Sequence, residues 1–412
     1  MGAPRSSVAA AVRIDRIVAA HAASATVVRR TPLLTSASVS QLCSGTVALK
    51  AECLQRTGSF KLRGALNKLR ALGAEASRGV VAGSAGNHAQ ALAYAARHHG
   101  VPCEVFMPLE AAVSKLDAVR AFGAEVHQRG SSVDECVALA REHAQATGLT
   151  FVHSFDDYDV IAGQAGLGVE LAEDAGDLRQ VVVPVGGGGL ASGVALALAQ
   201  LRPAVRVVGV QAAACAPFVA DRRGGARVPP PSTRTIADGI AVKRPGALTR
   251  PLVEEWLDDV ITVDEEAIAQ AMVLLLTRSK LLVEGAGAAA LAALLNGAIA
   301  PVTGGTTVAI LSGGNVDVGM IAGIAAHQET RAGRRSRLFT RIDDRPGGLA
   351  GLLAAVADAS ANVIAVEHVR DGVPLAVRET GIELIVETRG AGHRLQLLSR
   401  LHDAGYAVDV AD

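Results

Sequence analysis

The sequence predicts an α/β protein with largely parallel sheets, followed by a small α+β module of ferredoxin-like plan. Three observations carry this. Segments rich in Val and Ile alternate with alanine-rich helical stretches between residues 80 and 311, the pattern of parallel strands joined by crossover helices. The 412 residues exceed what one core usually accommodates, so two or more domains are expected. The closing stretch, 338–410, has a strand–helix–strand–strand–helix–strand order of its own.

Composition narrows the class of partner. Half the residues are hydrophobic and only 3% are aromatic, which suits alanine-rich helices packed closely on a sheet. Lys+Arg and Asp+Glu both total 40, so no basic excess points to nucleic acid or to an anionic membrane. The cysteines (Cys43, Cys53, Cys103, Cys136 and Cys215) form no CxxC pair. Their scatter argues against a structural zinc site or a disulfide framework, and for reduced thiols in a cytoplasm. The N-terminus has the alanine and arginine of a transit peptide, but Asp15 interrupts it and a helical pattern runs on to Thr31-Pro32, so a mature helix is expected. The apolar tract 285–295 is too short and too rich in small residues to span a bilayer, and reads as a buried helix.

In order, strands are expected at 80–82, 103–107, 125–127, 180–184, 205–211 and 306–311, and helices at 61–71, 89–99, 114–122, 131–147, 163–173 and 190–201. A proline-bearing loop should occupy 221–232, and a basic linker 331–336. The domains would then be 1–330, with a smaller lobe near 53–155, and 337–412. Within the last, strands are expected at 338–342, 363–370, 381–387 and 407–410, with helices at 349–359 and 393–404.

Ligands of open parallel sheets gather at the carboxyl ends of strands, so the loops there matter most. Lys61 stands in TGSFKLRGA between Phe60 and Arg63, at the start of a helical pattern. A lysine doing covalent chemistry must spend time as a neutral amine; Phe60 could favour that by desolvation and Arg63 by its charge. The plain alternative is a solvated surface lysine. Ser84-Ala85-Gly86-Asn87-His88 lies between a strand and a helix, and reads either as a carboxylate-binding loop of backbone amides or as an ordinary N-cap by Ser84 or Asn87. Gly186-Gly187-Gly188-Gly189-Leu190 follows the strand VVVP. Four consecutive glycines cost about 0.5–1 kcal/mol each relative to alanine in regular structure, more than a turn requires. They suggest a nest of amides around a monophosphate, because no P-loop lysine and no acidic ribose partner follow. Ser312-Gly313-Gly314-Asn315 offers a hydroxyl at a strand's end, or is simply a strand-to-loop turn.

With these four motifs in this order, the stretch from Thr31 to Ala325 resembles the fold-type-II pyridoxal-phosphate enzymes (tryptophan synthase β-like), and among them the threonine dehydratases, or threonine ammonia-lyases. The resemblance implies pyridoxal 5'-phosphate joined covalently to Lys61, its phosphate on Gly186 to Leu190, its ring hydroxyl by Asn87 and its ring nitrogen by Ser312. Ser84, Ala85, Gly86, Asn87 and His88 would receive the substrate carboxylate. It implies elimination of water from L-threonine, and from L-serine, giving an oxo acid and ammonia. A serine beside the ring nitrogen does not force a proton onto it, which favours prompt loss of the β-hydroxyl. That hydroxide needs a general acid, a role we assign to the cofactor phosphate. Residues 338–410 are similar to an ACT domain, whose DRPG turn would place an effector, a branched-chain amino acid, at Asp344, Arg345, Gly347, Gly348 and Leu349.

Departures bear on substrate choice. Serine racemases of this fold carry a serine where Ala85 stands, so dehydration is favoured over racemisation. Gln211 and Ala213 replace the carboxylates with which some relatives bind a cation, so no metal is expected there. The family's GQGT run reads Gly163-Gln164-Ala165-Gly166, and Cys53 and Ala112 replace commoner Asn and Pro. Glu284, in VEGAGA, is either a neighbour of the cofactor or a satisfied buried carboxylate. A homo-oligomer, dimer or tetramer, is expected. The competing readings are a serine dehydratase or racemase, and a catalytically silent amino-acid sensor.

Overall fold

The computed structural model describes residues 12–222 and 234–411, and it divides into two compact units between Asp317 and Val318. Two parallel sheets build the first unit. The larger has the order β1 (Leu33–Thr35), β2 (Val47–Ala51), β10 (Thr306–Leu311), β7 (Leu178–Pro184), β8 (Arg206–Ala212), β9 (Asp259–Val263), with only β1 antiparallel to its neighbour. The smaller is wholly parallel, in the order β5 (Glu125–Gln128), β4 (Cys103–Met107), β3 (Val80–Gly83), β6 (Thr150–Phe151). The chain leaves the large sheet after β2, builds the small lobe, and returns for β7 to β10. The parallel sheets are what the alternation predicted, and the two-lobed α/β fold is what the resemblance implied.

The strands β7 and β10 are buried along nearly their whole length, as continuous Val/Ile runs require when helices cover both faces. Val181, Val183, Leu190, Val194, Leu198, Val308 and Ile310 form the core between sheet and helices. In the small lobe Leu62, Leu66 and Leu69 of the Lys61–Leu72 helix share one core with Val80 and Ala82 of β3 and Val105 and Met107 of β4. Burying each such side chain stabilises by about 1.5–3 kcal/mol. Close helix approach depends on small residues: a Cβ on Gly193 would lie 2.8 Å from the backbone nitrogen of Ala165, so the helices Tyr158–Asp174 and Gly189–Leu201 pack nearly backbone to backbone. The tract 285–295 is the buried helix Gly285–Leu295, and among the described residues no helix is long and apolar enough to cross a membrane. The loop expected over 221–232 lies outside the described residues except for Asp221 and Arg222, which end the helix Pro217–Arg222.

The second unit opens with the helix Val318–Arg331. Residues 331–336, expected as a linker, instead hold the end of that helix, a turn at Gly333 (φ 65°) and the start of β11 (Arg335–Asp343). The boundary thus falls earlier than the basic run suggested, because that run belongs to regular structure. There follow the helix Gly348–Asp358, β12 (Asn362–Val369), β13 (Glu379–Glu387), the helix Ala391–Asp403 and β14 (Val408–Ala411). The antiparallel order β12-β13-β11-β14 with two helices is the ferredoxin-like plan. Leu338, Ile342, Leu352, Val356, Ile382, Leu384, Leu397 and Leu401 form its core.

Candidate active site

The segment before Lys61 is stitched to the loop after β10. Ser59 and Gly313 form an antiparallel bridge, Phe60 N donates to Ser312 O at 3.1 Å, and Gly314 N donates to Gly58 O at 2.8 Å. Lys61 then begins its helix, and its Nζ donates to the carbonyl of Ser154 at 2.7 Å, 5.2 Å from the centre of the Phe60 ring. Burial lowers the Lys61 pKa to about 8, while the charge of Glu284 pulls the other way.

Arg63 does not act on this amine as expected. It is turned away into a buried ion network, with Nε 2.7 Å from Glu52 and Nη1 2.7 Å from Glu170. Lys50 completes the network, 2.7 Å from Glu170 and 3.1 Å from Asp174. Two carboxylates absorb the guanidinium field, so desolvation alone lowers the lysine.

Gly186 to Leu190 joins β7 to the helix Gly189–Leu201, and only a glycine readily takes the φ of 94° at Gly188. Among the described residues, no carbonyl or side chain accepts from the N–H groups of Gly186, Gly187, Gly188, Gly189 or Leu190. Five successive free amides at a helix N-terminus form an anion-binding nest. Phe155 lies against it: a Cβ on Gly187 would come 2.3 Å from a Phe155 ring carbon, and one on Gly189 would come 2.9 Å from the Phe155 Cβ. Ser154 and Phe155 are adjacent, so one short segment holds the Lys61 amine and lines the glycine turn. That segment is fixed in turn. His153 Nδ1 accepts from Asp156 N at 2.8 Å, and Asp156 accepts from Leu248 N at 2.8 Å and Thr249 N at 3.1 Å. Thr249 Oγ1 donates to Gly187 O at 2.6 Å. Burial pushes His153 down to about 4, which keeps the ring neutral and its Nδ1 able to accept.

Asn87 opens the helix Asn87–His99 beside Gly313. Its Nδ2 donates to Glu284 Oε1 at 2.6 Å and its Oδ1 accepts from Asn315 Nδ2 at 2.6 Å. The amide orientation follows from this network. Glu284 is the satisfied buried carboxyl that its sequence context allowed, accepting from Asn87; burial and then Asp238 raise its pKa to about 8. No side chain caps the Asn87–His99 helix: Gly86 precedes it, and Ser84 Oγ accepts from Gly86 N at 3.3 Å. The N-cap reading of Ser84 or Asn87 is therefore not observed. The His88 ring is buried, with Nε2 3.0 Å from Val152 O, so what His88 offers the loop is its backbone. Ala85 packs into the small-lobe core.

The sequence-derived residues thus lie around one centre, apart from those of the DRPG turn, which belong to the second unit. There Asp344 pairs with Arg370 at 2.7 Å, Arg345 pairs with Asp343 at 3.3 Å, and Gly347 (φ 91°) precedes the helix that begins Gly348-Leu349. Gln211 is engaged elsewhere, accepting from Phe218 N at 3.0 Å. Ser154, Phe155, Asp156, Thr249 and Asn315 carry structure at the site that sequence reasoning assigned to none of them. For Ser154, Phe155 and Asp156 the signal was the position of SFDD after a strand two residues long, for Asn315 its place in the 312–315 motif, and Thr249 had none.

The donor set fits pyridoxal phosphate. An unpaired amide nest suits a phosphate, a desolvated amine suits an aldehyde, and the buried hydroxyls of Thr57 and Ser59 have no partner among the described residues. The profile of a family described as "pyridoxal-phosphate dependent enzyme" matches residues 25–313. An L-threonine ammonia-lyase of Geobacter sulfurreducens is 44% identical over 384 residues, covering 93% of this chain and 95% of the relative. Among solved structures, threonine deaminase isoform 2 from Solanum lycopersicum, in its processed form, superposes with TM-score 0.71 at 32% identity, covering 76% of this chain and 92% of that one. Maize serine racemase superposes with TM-score 0.72 at 35% identity, covering 78% and 99%. The amine, the glycine nest and these likenesses agree, and the chain belongs to the family of pyridoxal-phosphate-dependent enzymes.

Proposed function

We propose that this chain is an L-threonine ammonia-lyase, converting L-threonine to 2-oxobutanoate and ammonia and accepting L-serine to give pyruvate. The observation that carries the reading is the Ser154–Phe155 segment, which brings the Lys61 amine and the glycine nest to one place. Bound there, pyridoxal phosphate supplies an electron sink for the carbon that bears the substrate's amine.

The chain's own residues then have distinct tasks. Lys61 would carry the cofactor and, as a free amine, would take the α-proton of the substrate; a pKa near 8 leaves a useful fraction of that amine neutral. The amides of Gly186 to Leu190 would hold the phosphate. Asn87, aimed by Glu284 and Asn315, would take the ring hydroxyl, and Ser312 the ring nitrogen. The backbone of Ser84 to His88 receives the substrate carboxylate, helped by the uncapped helix end.

The likeness to a serine racemase favours a second reading, serine dehydration or racemisation. Ala85 weighs against racemisation, because a methyl group cannot exchange a proton. Purified holoenzyme given L-threonine, L-serine and D-serine in parallel separates them. Faster turnover of L-threonine supports the proposal, and faster turnover of either serine overturns it. A preparation without the visible absorbance of lysine-bound cofactor would instead support a silent amino-acid sensor.

Regulation extends the proposal. The second unit would be an ACT domain, with an isoleucine- or valine-like effector at Asp344, Arg345, Gly347, Gly348 and Leu349. Its ferredoxin-like plan and its positive-φ glycine before a helix support this. Calorimetry with each amino acid tests it. The free state of all five cysteines supports a reducing, cytoplasmic setting, and we propose a homo-oligomer.

A further inference from the structure

We propose that the small lobe carries a second site, for a divalent transition-metal ion of the zinc type, built from Glu104, His127 and His143. These residues are far apart in sequence, and spacing gave no hint of them. Three elements bring them together. Glu104 and Phe106 project from one face of β4 by the two-residue alternation of a strand. The parallel register sets Phe106 beside His127 of the edge strand β5. The helix Val133–Thr147 lies over that face and contributes His143.

The donor atoms converge. His127 Nε2 lies 2.6 Å and His143 Nε2 2.8 Å from the same oxygen, Glu104 Oε2, and all three donors lie within 4.8 Å of one another. Phe106 holds the rings, stacked on His127 at 4.7 Å and tilted to His143 at 5.3 Å. All three ligands are partly buried, so their orientations are fixed while an ion can still enter. Zinc takes imidazole nitrogen at about 2.0–2.1 Å and carboxylate oxygen at about 2.0–2.2 Å, which spaces tetrahedral donors about 3.3 Å apart. A retreat of the carboxylate by about 0.5–0.7 Å brings both histidine–glutamate pairs to that spacing, and rotation of the imidazoles sets the third. Each imidazole then presents the Nε2 lone pair with its proton on Nδ1. Two imidazoles and one carboxylate select zinc-like ions over calcium or magnesium. Water or Glu125, whose Oε1 is 3.8 Å from His127 Nε2, completes the shell.

The ion would clamp the helix Val133–Thr147 to β4 and β5. The same helix abuts the end of β3, where a Cβ on Gly83 would come 2.5 Å from Cys136 backbone atoms. Gly83 leads directly into Ser84. The clamp therefore stiffens the support of that loop, a structural role separate from the chemistry at Lys61.

The test uses chelator-treated holoenzyme titrated with Zn2+ by calorimetry and with Co2+ by visible difference spectroscopy. The proposal expects one Zn2+ per chain, tetrahedral Co2+ bands, and a higher melting temperature with Zn2+. In the double variant H127Q/H143Q and in Glu104→Gln, affinity should fall by roughly 100-fold or more, beyond the about 10–100-fold of a second-shell change. Cofactor absorbance should persist in both, which verifies folding. Equal binding by wild type and variants, as from thiols elsewhere, overturns the proposal. So does wild type that binds no ion.

Discussion

Asn87 Nδ2 lies 2.6 Å from Glu284 Oε1, although 197 residues separate them in the chain. This bond and the one from Asn315 leave the Asn87 amide a single useful orientation. Glu284 is raised to about 8, so the carboxyl is largely neutral at pH 7. Glu284→Gln mimics the neutral form and should keep turnover within a few-fold of wild type below about pH 8, diverging above it. Glu284→Ala should lose about tenfold or more in kcat/KM at every pH, since it leaves Asn87 unaimed. Steady-state kinetics across pH check both, and identical pH profiles for wild type and Gln would contradict this role.

Lys61 makes a pH prediction of its own. With a pKa near 8, the apoenzyme should take up pyridoxal phosphate faster as pH rises through about 8, then level off, because only the neutral amine attacks the aldehyde. Stopped-flow absorbance reads this. Stability carries the same signature. Between about 8 and the ordinary 10.5 the unfolded chain binds more protons at this group, so its contribution to apoenzyme stability rises with pH over that window. Lys61→Met should lack that rise in denaturant titrations.

Removing Arg63 should damage the fold. Arg63→Met leaves Glu52 and Glu170 buried, with Lys50 their remaining cation in the network. Breaking a buried pair from one side costs about 3–5 kcal/mol. Denaturant unfolding of apoenzyme should show a loss of that order, where an exposed arginine would show about 0–1 kcal/mol.

Gly187→Ala should weaken the cofactor without touching Lys61. The added methyl group would come 2.3 Å from a Phe155 ring carbon, so either the ring or the amide nest must move. Equilibrium dialysis should show affinity for pyridoxal phosphate lower by about tenfold or more, near 1.4 kcal/mol. An unchanged affinity would separate the glycine turn from the phosphate.

Much of this architecture was legible in the sequence because its signals are local. Strands β3, β7, β8 and β10 announce themselves by Val/Ile runs, β4 and β5 are read from the alternation with helices around them, and the motif loops follow directly from strands. The short β1 and β6 and the strands β2 and β9 were missed, since Leu-Leu-Thr or Thr-Phe carries no period to count. Side-chain pairings between distant segments were less legible. Arg63 is near Lys61 in sequence, yet its helix turns the guanidinium toward Glu52 and Glu170 instead. Ser154 and Asn315 act through geometry that only the assembled sheets create, and Glu104, His127 and His143 meet only once β4, β5 and a helix are packed.

The proposed chemistry depends on attachment of the cofactor at one lysine. Borohydride reduction of yellow holoenzyme, followed by peptide mass spectrometry, tests this most directly. The expected result is a phosphopyridoxyl group on the peptide containing Lys61, absent from Lys61→Ala. The group on another lysine, or on none, would contradict it.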